Sequence, residues 1–459
     1  DDSGILKISL KPLEGKILIK SLQEPAPQGT RASGVLMHIT SLPSRYGIGD
    51  LGTSAYEFAD FLKASDQKLW QILPINTPGI GESPYQPLSA FAGNPMFISP
   101  GKLIEMKLLS KNDVLSFMSE KNLVKTNKIN FSRAKEVKDK IFKLAFKNFK
   151  SNSLPKDYLY FIFKEADWLE DYSLFMALKE YFDGKPWNKW DKAIVSRTEE
   201  AIVDYSKMLV DKIEYHKFLQ YIFSKQWKEF RNYVNVLGIK LVGDLPIFVS
   251  YDSVDVWSNQ HYFDLDKDGN MNNVAGVPPD YFSETGQLWG NPLYRFDIMA
   301  KDNYIWWKKR IKHLLSFVDV IRIDHFRGFE SYWQVPSKEK TAVNGNWIPG
   351  PGVNFFEVLE EYLGKLPIIV EDLGMITPGV SKLKNKFGFP GMRVLQFSFS
   401  DDKKVACDFP YNINRNTVAY TGTHDNDTLL GWWRSIKKDN INLYENIFHH
   451  FRKLEIDVS

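Results

Sequence analysis

Four acidic residues stand at the ends of separate apolar runs of strand length, where carboxylates can do acid–base and nucleophilic chemistry. They are Asp244, Asp324, Glu371 and Asp425. In parallel α/β folds the carboxyl ends of the strands build the active site, so we expect these acids to converge. A single acid in such a place is commonly half of a structural ion pair. Four acids on four strands favour a catalytic cluster.

Strand alternation gives two of these acids different surroundings. Arg322 and Asp324 are two positions apart, so both side chains point to the same side of the strand, and the guanidinium favours a carboxylate that acts as a nucleophile. Glu371 has apolar residues below it and other acids opposite, which favours a general acid. Cleavage of a glycosidic bond needs this pair of roles. A buried salt bridge for Arg322–Asp324 and a surface position for Glu371 are the structural alternatives.

Other residues fit chemistry on sugars. Asp425 lies between His424 and Asn426, a polar setting suited to hydrogen bonds with sugar hydroxyls. Aromatic residues make up 14% of the chain, including 13 Trp. They serve either a large core or stacking on the apolar face of a pyranose.

The elements that must position these residues alternate along the chain. From Gly34 onwards, seven apolar runs of strand length end in polar residues, with helical patterns between several of them. This order is typical of an α/β fold with a parallel sheet, and seven strands favour a TIM (β/α)8-type barrel with large helical insertions. The runs are 35–39, 69–75, 239–246, 318–324, 367–372, 392–399 and 417–425.

Helix signals fill the intervals. S-A-Y-E at 54–57 predicts a capping box that opens one helix, and 303–317 predicts another directly before a strand. The Lys- and Phe-rich segment 101–235 is helical throughout, with its lysines on the solvated side. One predicted buried helix face consists of Ala134, Val137, Ile141, Leu144 and Phe149.

These signals divide the chain into four predicted parts. They are an N-terminal extension and linker over 1–30, the first part of a catalytic barrel over 31–100, a helical insertion over 101–235, and the rest of the barrel over 236–459 with a loop subdomain at 250–300.

The spacing of the glycines in one loop suggests a different function, the binding of a dinucleotide. Gly47, Gly49 and Gly52 have the G-x-G-x-x-G spacing of a dinucleotide-binding loop. Here T-S-L-P-S-R-Y separates the strand from the first glycine, and the next strand ends without the acid that holds a ribose. We therefore predict a turn that leads the chain into the helix at 54–64, not a nucleotide site.

Metal sites are not indicated. Asp264, Asp266 and Asp268 have the spacing that opens an EF-hand loop, but Ala275 stands where a bidentate Glu is needed, so we predict a polar turn. The eight histidines form no H-E-x-x-H motif or Cys/His cluster. We expect no metal and no cofactor.

The composition of the chain argues against nucleic-acid and membrane partners. The 459 residues carry a net charge of only +3, which a solvated lysine surface explains without a nucleic-acid partner. Cys407 is the only cysteine, so no intrachain disulfide forms, and a cytoplasmic location is expected. No apolar run reaches transmembrane length, so we expect no membrane partner. A monomer or weak homo-oligomer is expected.

Longer motifs resemble one family. R-I-D-H-F-R-G-F (322–329), V-E-D-L-G (370–374) and T-G-T-H-D-N-D-T (421–428) resemble the catalytic motifs of the 4-α-glucanotransferases, the amylomaltases or disproportionating enzymes of glycoside hydrolase family 77. The stretches 38–52 and 275–292 match as well, and the resemblance runs from about Gly34 to the end of the chain. It implies a barrel enzyme that transfers α-1,4-glucan segments between oligosaccharides by a retaining double displacement. An α-glucan hydrolase and an inactive glucan-binding protein are the alternatives.

The resemblance also implies roles for single residues. Asp324 is the nucleophile, Glu371 is the acid that then acts as base, and Asp425 holds the sugar's 2- and 3-hydroxyls. Arg322 orients Asp324, and Asp244 contacts the donor sugar. The other expected substrate-binding residues are His325 and His424 for hydrogen bonds, Tyr85 and Trp289 for stacking, Asp280, Tyr281, Glu284 and Gln287 on a loop over the cleft, and Ser83 and Asn426.

The sequence departs from the family pattern at its end. The family continues past the seventh strand with a helix and an eighth strand, whereas this sequence stops at Ser459. We expect the closing strand to be missing or degenerate in this chain.

Overall fold

The structure is a computed structural model that describes residues 31–79, 81–118, 128–280, 283–399 and 409–455. The described residues fall into two compact units, one over 32–368 and one over 369–455 together with Arg31. The predicted extension 1–30, Tyr281 and Cys407 lie outside the described residues.

Strands and helices alternate along much of the chain. The strands are β1 (Gly34–Leu36), β2 (Leu69–Gln71), β3 (Lys240–Leu245), β4 (Asn273–Val277), β5 (Gln287–Pro292), β6 (Val320–Ile323), β7 (Ser331–Pro336), β8 (Asn346–Pro349), β9 (Ile368–Val370), β10 (Gly391–Val394) and β11 (Thr417–Tyr420). The α-helices are α1 (Thr53–Ala64), α2 (Pro100–Glu105), α3 (Lys111–Met118), α4 (Phe131–Lys150), α5 (Lys156–Tyr181), α6 (Lys192–Val195), α7 (Glu199–Met208), α8 (Val210–Val236), α9 (Val254–Ser258), α10 (Phe296–Lys301), α11 (Ile305–Phe317), α12 (Gly352–Leu363), α13 (Pro378–Phe387), α14 (Leu429–Asp439) and α15 (Ile441–Lys453).

The unit over 32–368 is built on a parallel sheet. Strands β1, β2, β3 and β6 pair in parallel in that order. Beyond β6, the Ile321 N–H donates to the Pro367 carbonyl at 2.9 Å, just before β9 begins. In the unit over 369–455, β10 and β11 also pair in parallel. Each of the seven predicted runs contains a strand, which confirms the α/β class.

An antiparallel sheet was not anticipated. Its order is β5-β4-β7-β8, and it buries Val274, Val335 and Ala342 in a small core of its own. Within the loop subdomain predicted at 250–300, the segments 273–277 and 287–292 form β4 and β5 rather than loop. Glycine in both strands and the proline that ends β5 hid the apolar alternation that marks a strand.

The helical predictions hold for most of the chain. Helices α2 to α8 occupy much of 101–235, and α11 ends directly before β6. On α4 the predicted face is buried except at Leu144, which is half-buried, while Phe142 and Ala145 complete the buried face.

The capping box predicted at 54–57 is wrong. Helix α1 begins at Thr53 with Gly52 as its N-cap, and no side chain caps it. The predicted turn before the helix is confirmed. Gly47 has a φ of 84°, and a Cβ on Gly49 would lie 2.0 Å from the Ile39 carbonyl oxygen, so both positions require glycine.

Two buried lysines, Lys138 and Lys217, contradict the prediction that the helical segment keeps its lysines in solvent. Lys138 on α4 is fully buried and forms an ion pair with Asp50 at 3.0 Å. Its ammonium also donates to the carbonyls of Met96 at 2.6 Å and Ile98 at 2.9 Å. A buried charge with three acceptors is satisfied, and it joins α4 to the glycine loop.

The segment 264–270 is the predicted polar turn. Asp266 Oδ1 accepts the backbone N–H groups of Asp268 at 2.8 Å and Asn270 at 2.9 Å. Asp264 accepts the side-chain amides of Asn272 and Asn273 at 2.9 and 2.8 Å. These carboxylates stabilise the turn itself.

Candidate functional site

A single guanidinium contacts two of the predicted acids. Asp244 on β3 pairs in register with Arg322 on β6, so the two side chains point to the same side of the sheet. Arg322 Nη1 lies 2.8 Å from both carboxylate oxygens of Asp244 and 2.9 Å from Oδ1 of Asp324. The Asp244 side chain is 0% exposed and that of Asp324 is 30% exposed. Asp324 is therefore the acid that a ligand can reach.

Tyr85 completes the shell around Asp244. Its hydroxyl donates to Asp244 Oδ2 at 2.6 Å. Burial raises the pKa of Asp244, and the charge of Arg322 opposes that rise. Burial and the negative charge of Asp244 raise the pKa of Tyr85 far above its usual range, so the phenol stays a donor. The structure thus shows Tyr85 as a hydrogen-bond donor to an acid, a contact that the prediction of a stacking face did not include.

Ser83 shapes the turn that carries Tyr85. Its hydroxyl accepts the Tyr85 N–H at 3.3 Å, and its carbonyl accepts the Gln86 N–H at 3.1 Å. This part of 83–86 is a compact turn with the Tyr85 side chain directed to Asp244.

His325 follows Asp324 in a left-handed conformation, with a φ of 50°. Burial, helped by the positive charge of Arg327, lowers the pKa of His325 to about 4. The imidazole is therefore neutral at neutral pH and offers one donor and one acceptor. Trp289 on β5 contacts it edge to face, with ring centroids 4.7 Å apart.

The other residues predicted near the acceptor lie on the β4–β5 connection and on β5. Asp280 Oδ1 accepts the Ser283 N–H at 2.9 Å and so stabilises the connection. Glu284 and Gln287 are exposed, and Gln287 Oε1 accepts the Trp289 indole N–H at 3.2 Å. Contacts within this unit bring Trp289 to His325.

In the unit over 369–455, Glu371 and its neighbour have different surroundings. Glu371 is half-buried and accepts the Leu373 N–H at 2.8 Å. Asp372 is buried, forms ion pairs with Lys384 at 2.6 Å and Arg393 at 3.2 Å, and accepts the Met392 N–H. Asp372 is thus a structural acid that fixes the end of β9.

Asp425 lies on a loop that its neighbours stabilise. Its carboxylate is 73% exposed, and His424 Nε2 lies 3.3 Å from Oδ1. Asn426 Oδ1 accepts both the backbone N–H and the hydroxyl of Thr423 at 3.0 Å. Asn426, predicted to bind substrate, therefore uses its carbonyl oxygen to shape the loop. Gln396 ties the two ends of the same loop by donating to the carbonyls of Thr421 and Asp427 at 3.0 and 2.9 Å.

The described residues show neither a metal site nor a membrane-spanning helix. Among them, no group of three His, Cys, Asp or Glu side chains is arranged to hold a metal ion. No helix within the described ranges is long and apolar enough to cross a membrane.

A family model described as 4-alpha-glucanotransferase matches residues 37–456 of the chain. The chain belongs to the 4-alpha-glucanotransferase family. The family and the transferase activity predicted from the motifs are thereby confirmed.

Individual members of the 4-alpha-glucanotransferase family agree over most of the chain. The 4-alpha-glucanotransferase of Synechocystis is 47% identical over 416 residues, which cover 89% of this chain and 81% of that protein. That of Clostridium butyricum is 49% identical over 399 residues, which cover 86% and 81%. Among solved structures, the amylomaltase from Streptococcus agalactiae in complex with acarbose has a TM-score of 0.87 at 41% identity, and the match covers 92% of this chain and 84% of that one.

Some residues that support the candidate site of this glucanotransferase were not singled out by any sequence motif. Asp255 is buried on α9 and accepts the Ala90 N–H at 2.7 Å, and burial raises its pKa to about 6. Asn291 on β5 pairs its side-chain amide with that of Gln86 at 3.2 Å. Both contacts fasten the segment that carries Tyr85. The single acid within the apolar stretch V-D-V-W was the available signal for Asp255.

Proposed function

We propose that this 4-alpha-glucanotransferase transfers α-1,4-glucan segments by a retaining double displacement in which Asp324 is the nucleophile. The contact of Arg322 Nη1 with Asp324 Oδ1 at 2.9 Å carries the proposal. The guanidinium favours a carboxylate at Asp324, and buried Asp244 holds the guanidinium in place. Because Asp324 alone of the two acids is partly exposed, it is the one that can attack an anomeric carbon.

Glu371 supplies and recovers the proton. In the first step an oxygen of Asp324 bonds to the anomeric carbon while Glu371 protonates the departing glycosidic oxygen. In the second step the 4-hydroxyl of an acceptor sugar attacks that carbon, Glu371 takes the hydroxyl proton, and Asp324 is released. Asp425 and His424 hold sugar hydroxyls during both steps. The exposed Asp425 carboxylate, 73% accessible, supports this role.

Binding of the glucan uses a neutral histidine and an aromatic edge. His325 keeps its neutral form at neutral pH, since its pKa is about 4, so it hydrogen-bonds hydroxyls without the cost of burying a charge. Trp289 contacts His325 and offers an indole beside the same sugar. The solved relative from Streptococcus agalactiae is a complex with acarbose, which supports an oligosaccharide as ligand. We assign the acceptor side to Asp280, Tyr281, Glu284 and Gln287.

We further propose that the parallel strands belong to a (β/α)8-type barrel. The order β1-β2-β3-β6 with helices between its strands supports it. In this arrangement the helices α2 to α8 form the insertion predicted over 101–235.

Maltotriose separates transfer from hydrolysis. We expect incubation with maltotriose to yield glucose and a ladder of longer maltooligosaccharides, because a sugar hydroxyl rather than water releases the glycosyl-enzyme. Chromatography of the products measures both outcomes. Maltose and glucose alone, without longer products, would show a hydrolase and contradict the proposal.

A further inference from the structure

An elongated cavity lies in the unit over 32–368, away from Asp244 and Asp324 of the same unit. It has a volume of about 410 Å³ and lies between α5, α8 and α11. Along α8 its wall runs from Gln220 to Asn235, which spans about 22 Å at the rise of an α-helix. An occupant that fills this groove is therefore a chain rather than a single small ring.

The groove lies at the opposite ends of β3 and β6 from Asp244 and Asp324. Arg231 in the groove wall forms an ion pair with Asp319 at 2.6 Å, and Asp319 accepts the Leu241 N–H at 2.8 Å. Asp319 directly precedes β6, and Leu241 is the second residue of β3, so this end of the groove lies at the amino ends of both strands. Asp324 follows the carboxyl end of β6, about 16 Å away along the strand. The groove is thus a separate site.

Aromatic rings form one wall and its rim. Trp168 donates its indole N–H to Glu165 Oε2 at 2.8 Å and stacks on Phe91 with centroids 6.5 Å apart, so its ring is held in one orientation. On the adjoining face of α5, Tyr160 is 65% exposed and Phe163 is 82% exposed. Aromatic faces held in water-accessible positions suit the apolar face of a pyranose ring.

The opposite wall carries a row of polar side chains. Ser224, Lys228 and Asn232 follow one another at four-residue intervals on α8, so they lie on one face with about 6 Å between successive members. An uncharged chain rich in hydroxyls can pair with such a row. A second protein helix packed there would remove these groups from water without returning hydrogen bonds.

Two of the cations that line the groove already have carboxylate partners in the chain. The guanidinium of Arg231 already donates to the carbonyls of Leu315 at 3.1 Å and Ser316 at 2.6 Å, besides its pairing with Asp319. The carboxylate of Glu165 lies in the same lining. Glu165 in turn pairs with Lys164 at 3.1 Å, so Arg231 and Lys164 already have carboxylate partners within the chain.

We propose that this groove binds a segment of α-1,4-glucan outside the catalytic site. The chemical class of the ligand rests on the proposed function, because a long glucan is the only extended, uncharged, hydroxyl-rich chain that the enzyme acts on. A glucan held there raises the local concentration of chain ends at the same molecule.

Calorimetry with maltoheptaose tests the groove. The full chain carrying Asp324→Asn serves as the parent, so that turnover does not consume the probe. We expect two classes of binding site in the parent. We expect Trp168→Ala, and independently the pair Lys228→Ala and Asn232→Ala, to weaken one class about threefold to tenfold, the loss that one stacked or hydrogen-bonded sugar corresponds to. The matched control replaces Lys147 and Lys207, two exposed helix lysines outside the groove.

The outcomes separate the groove from the other possibilities. The double variant on α8 changes surface side chains, so it decides the test even where Trp168→Ala does not fold. A second class of site that survives in both groove variants overturns the proposal. So does a change in self-association, measured by sedimentation equilibrium, without a change in maltoheptaose binding, because the groove would then be an interface between copies. Binding is read without turnover, so a missing product ladder in the unmodified chain counts against the proposed function alone.

Discussion

At the residue scale, Arg322 determines how two neighbouring acids coexist. Its Nη1 atom lies within 2.9 Å of both Asp244 and Asp324, so one positive charge faces two carboxylates. Asp244 has no contact with water and depends on Arg322 and the Tyr85 hydroxyl for its hydrogen bonds. This arrangement fixes the guanidinium before any substrate arrives. Asp324 is thereby oriented by a group that does not itself have to move.

Variants of the two proposed catalytic acids differ in their response to the leaving group. We expect Asp324→Asn to lower kcat on the order of 10⁴-fold with maltotriose and with α-glucosyl fluoride alike, because no covalent intermediate forms. Glu371→Gln should lose about 10²- to 10⁴-fold with maltotriose but still carry out the first step with the fluoride, whose leaving group needs little protonation, so that fluoride is released in an initial burst before the second step, which lacks its base, limits turnover. Initial rates with both donors measure this. Asp268→Asn, an exposed acid on the 264–270 turn, is the control. Substantial activity in Asp324→Asn would show that another residue is the nucleophile.

At the element scale, the segment 83–92 depends on a short helix far away in sequence. Asp255 on α9 accepts the Ala90 N–H at 2.7 Å, and Val254 donates its N–H to the Leu88 carbonyl at 2.9 Å. Tyr85 lies on the same segment and reaches Asp244. The buried carboxylate of Asp255 therefore acts on the candidate site through Tyr85, as a positioning residue.

A double-mutant cycle tests that connection. We expect Tyr85→Phe to lower kcat/KM for maltotriose about fivefold to 100-fold, because a buried Asp244 oxygen loses its donor. Asp255→Ala should lower it as well, but add little in the Tyr85→Phe background, with a coupling energy of about 0.5–3 kcal/mol. Asp252→Ala is the control, since this nearby acid forms an ion pair with Lys179 at 2.6 Å instead. Additive effects of Asp255→Ala and Tyr85→Phe would refute the connection.

At the scale of the whole molecule, features marked by a local sequence pattern were predicted. Features that depend on partners distant in sequence were not. The seven strands were found because each lies in a short, mainly apolar stretch of sequence, and the strand-end acids followed from them. The antiparallel sheet was missed because β4 and β5 contain glycine and β5 ends in proline. The pairing of Arg322 with Asp244 was not anticipated, since 78 residues separate them. Lys138 was assigned to solvent for the same reason: its partner Asp50 is 88 residues away.

Variants of the buried ion pair between Lys138 and Asp50 test how firmly α4 is attached within the unit over 32–368. Burial lowers the pKa of Lys138 and raises that of Asp50, and each charge partly offsets the shift in the other. Lys138→Met leaves the Asp50 carboxylate buried without its cation, so we expect a loss of about 3–5 kcal/mol in the free energy of unfolding in urea. Adding Asp50→Asn removes the uncompensated charge and should restore most of that loss.

Lys140→Met is the matched control for this prediction. Lys140 lies on the same helix in an exposed ion pair with Glu136 at 3.4 Å, so its loss should cost no more than about 0.5 kcal/mol. Equal losses in the free energy of unfolding for Lys138→Met and Lys140→Met would mean that water reaches the ion pair of Lys138 and Asp50. Helix α4 would then be only loosely attached. The expected difference means instead that α4 and the glycine loop unfold together. Helix α4 is then part of the cooperative structure of the unit over 32–368, because the Lys138 ammonium holds the carbonyls of Met96 and Ile98 as well as the Asp50 carboxylate.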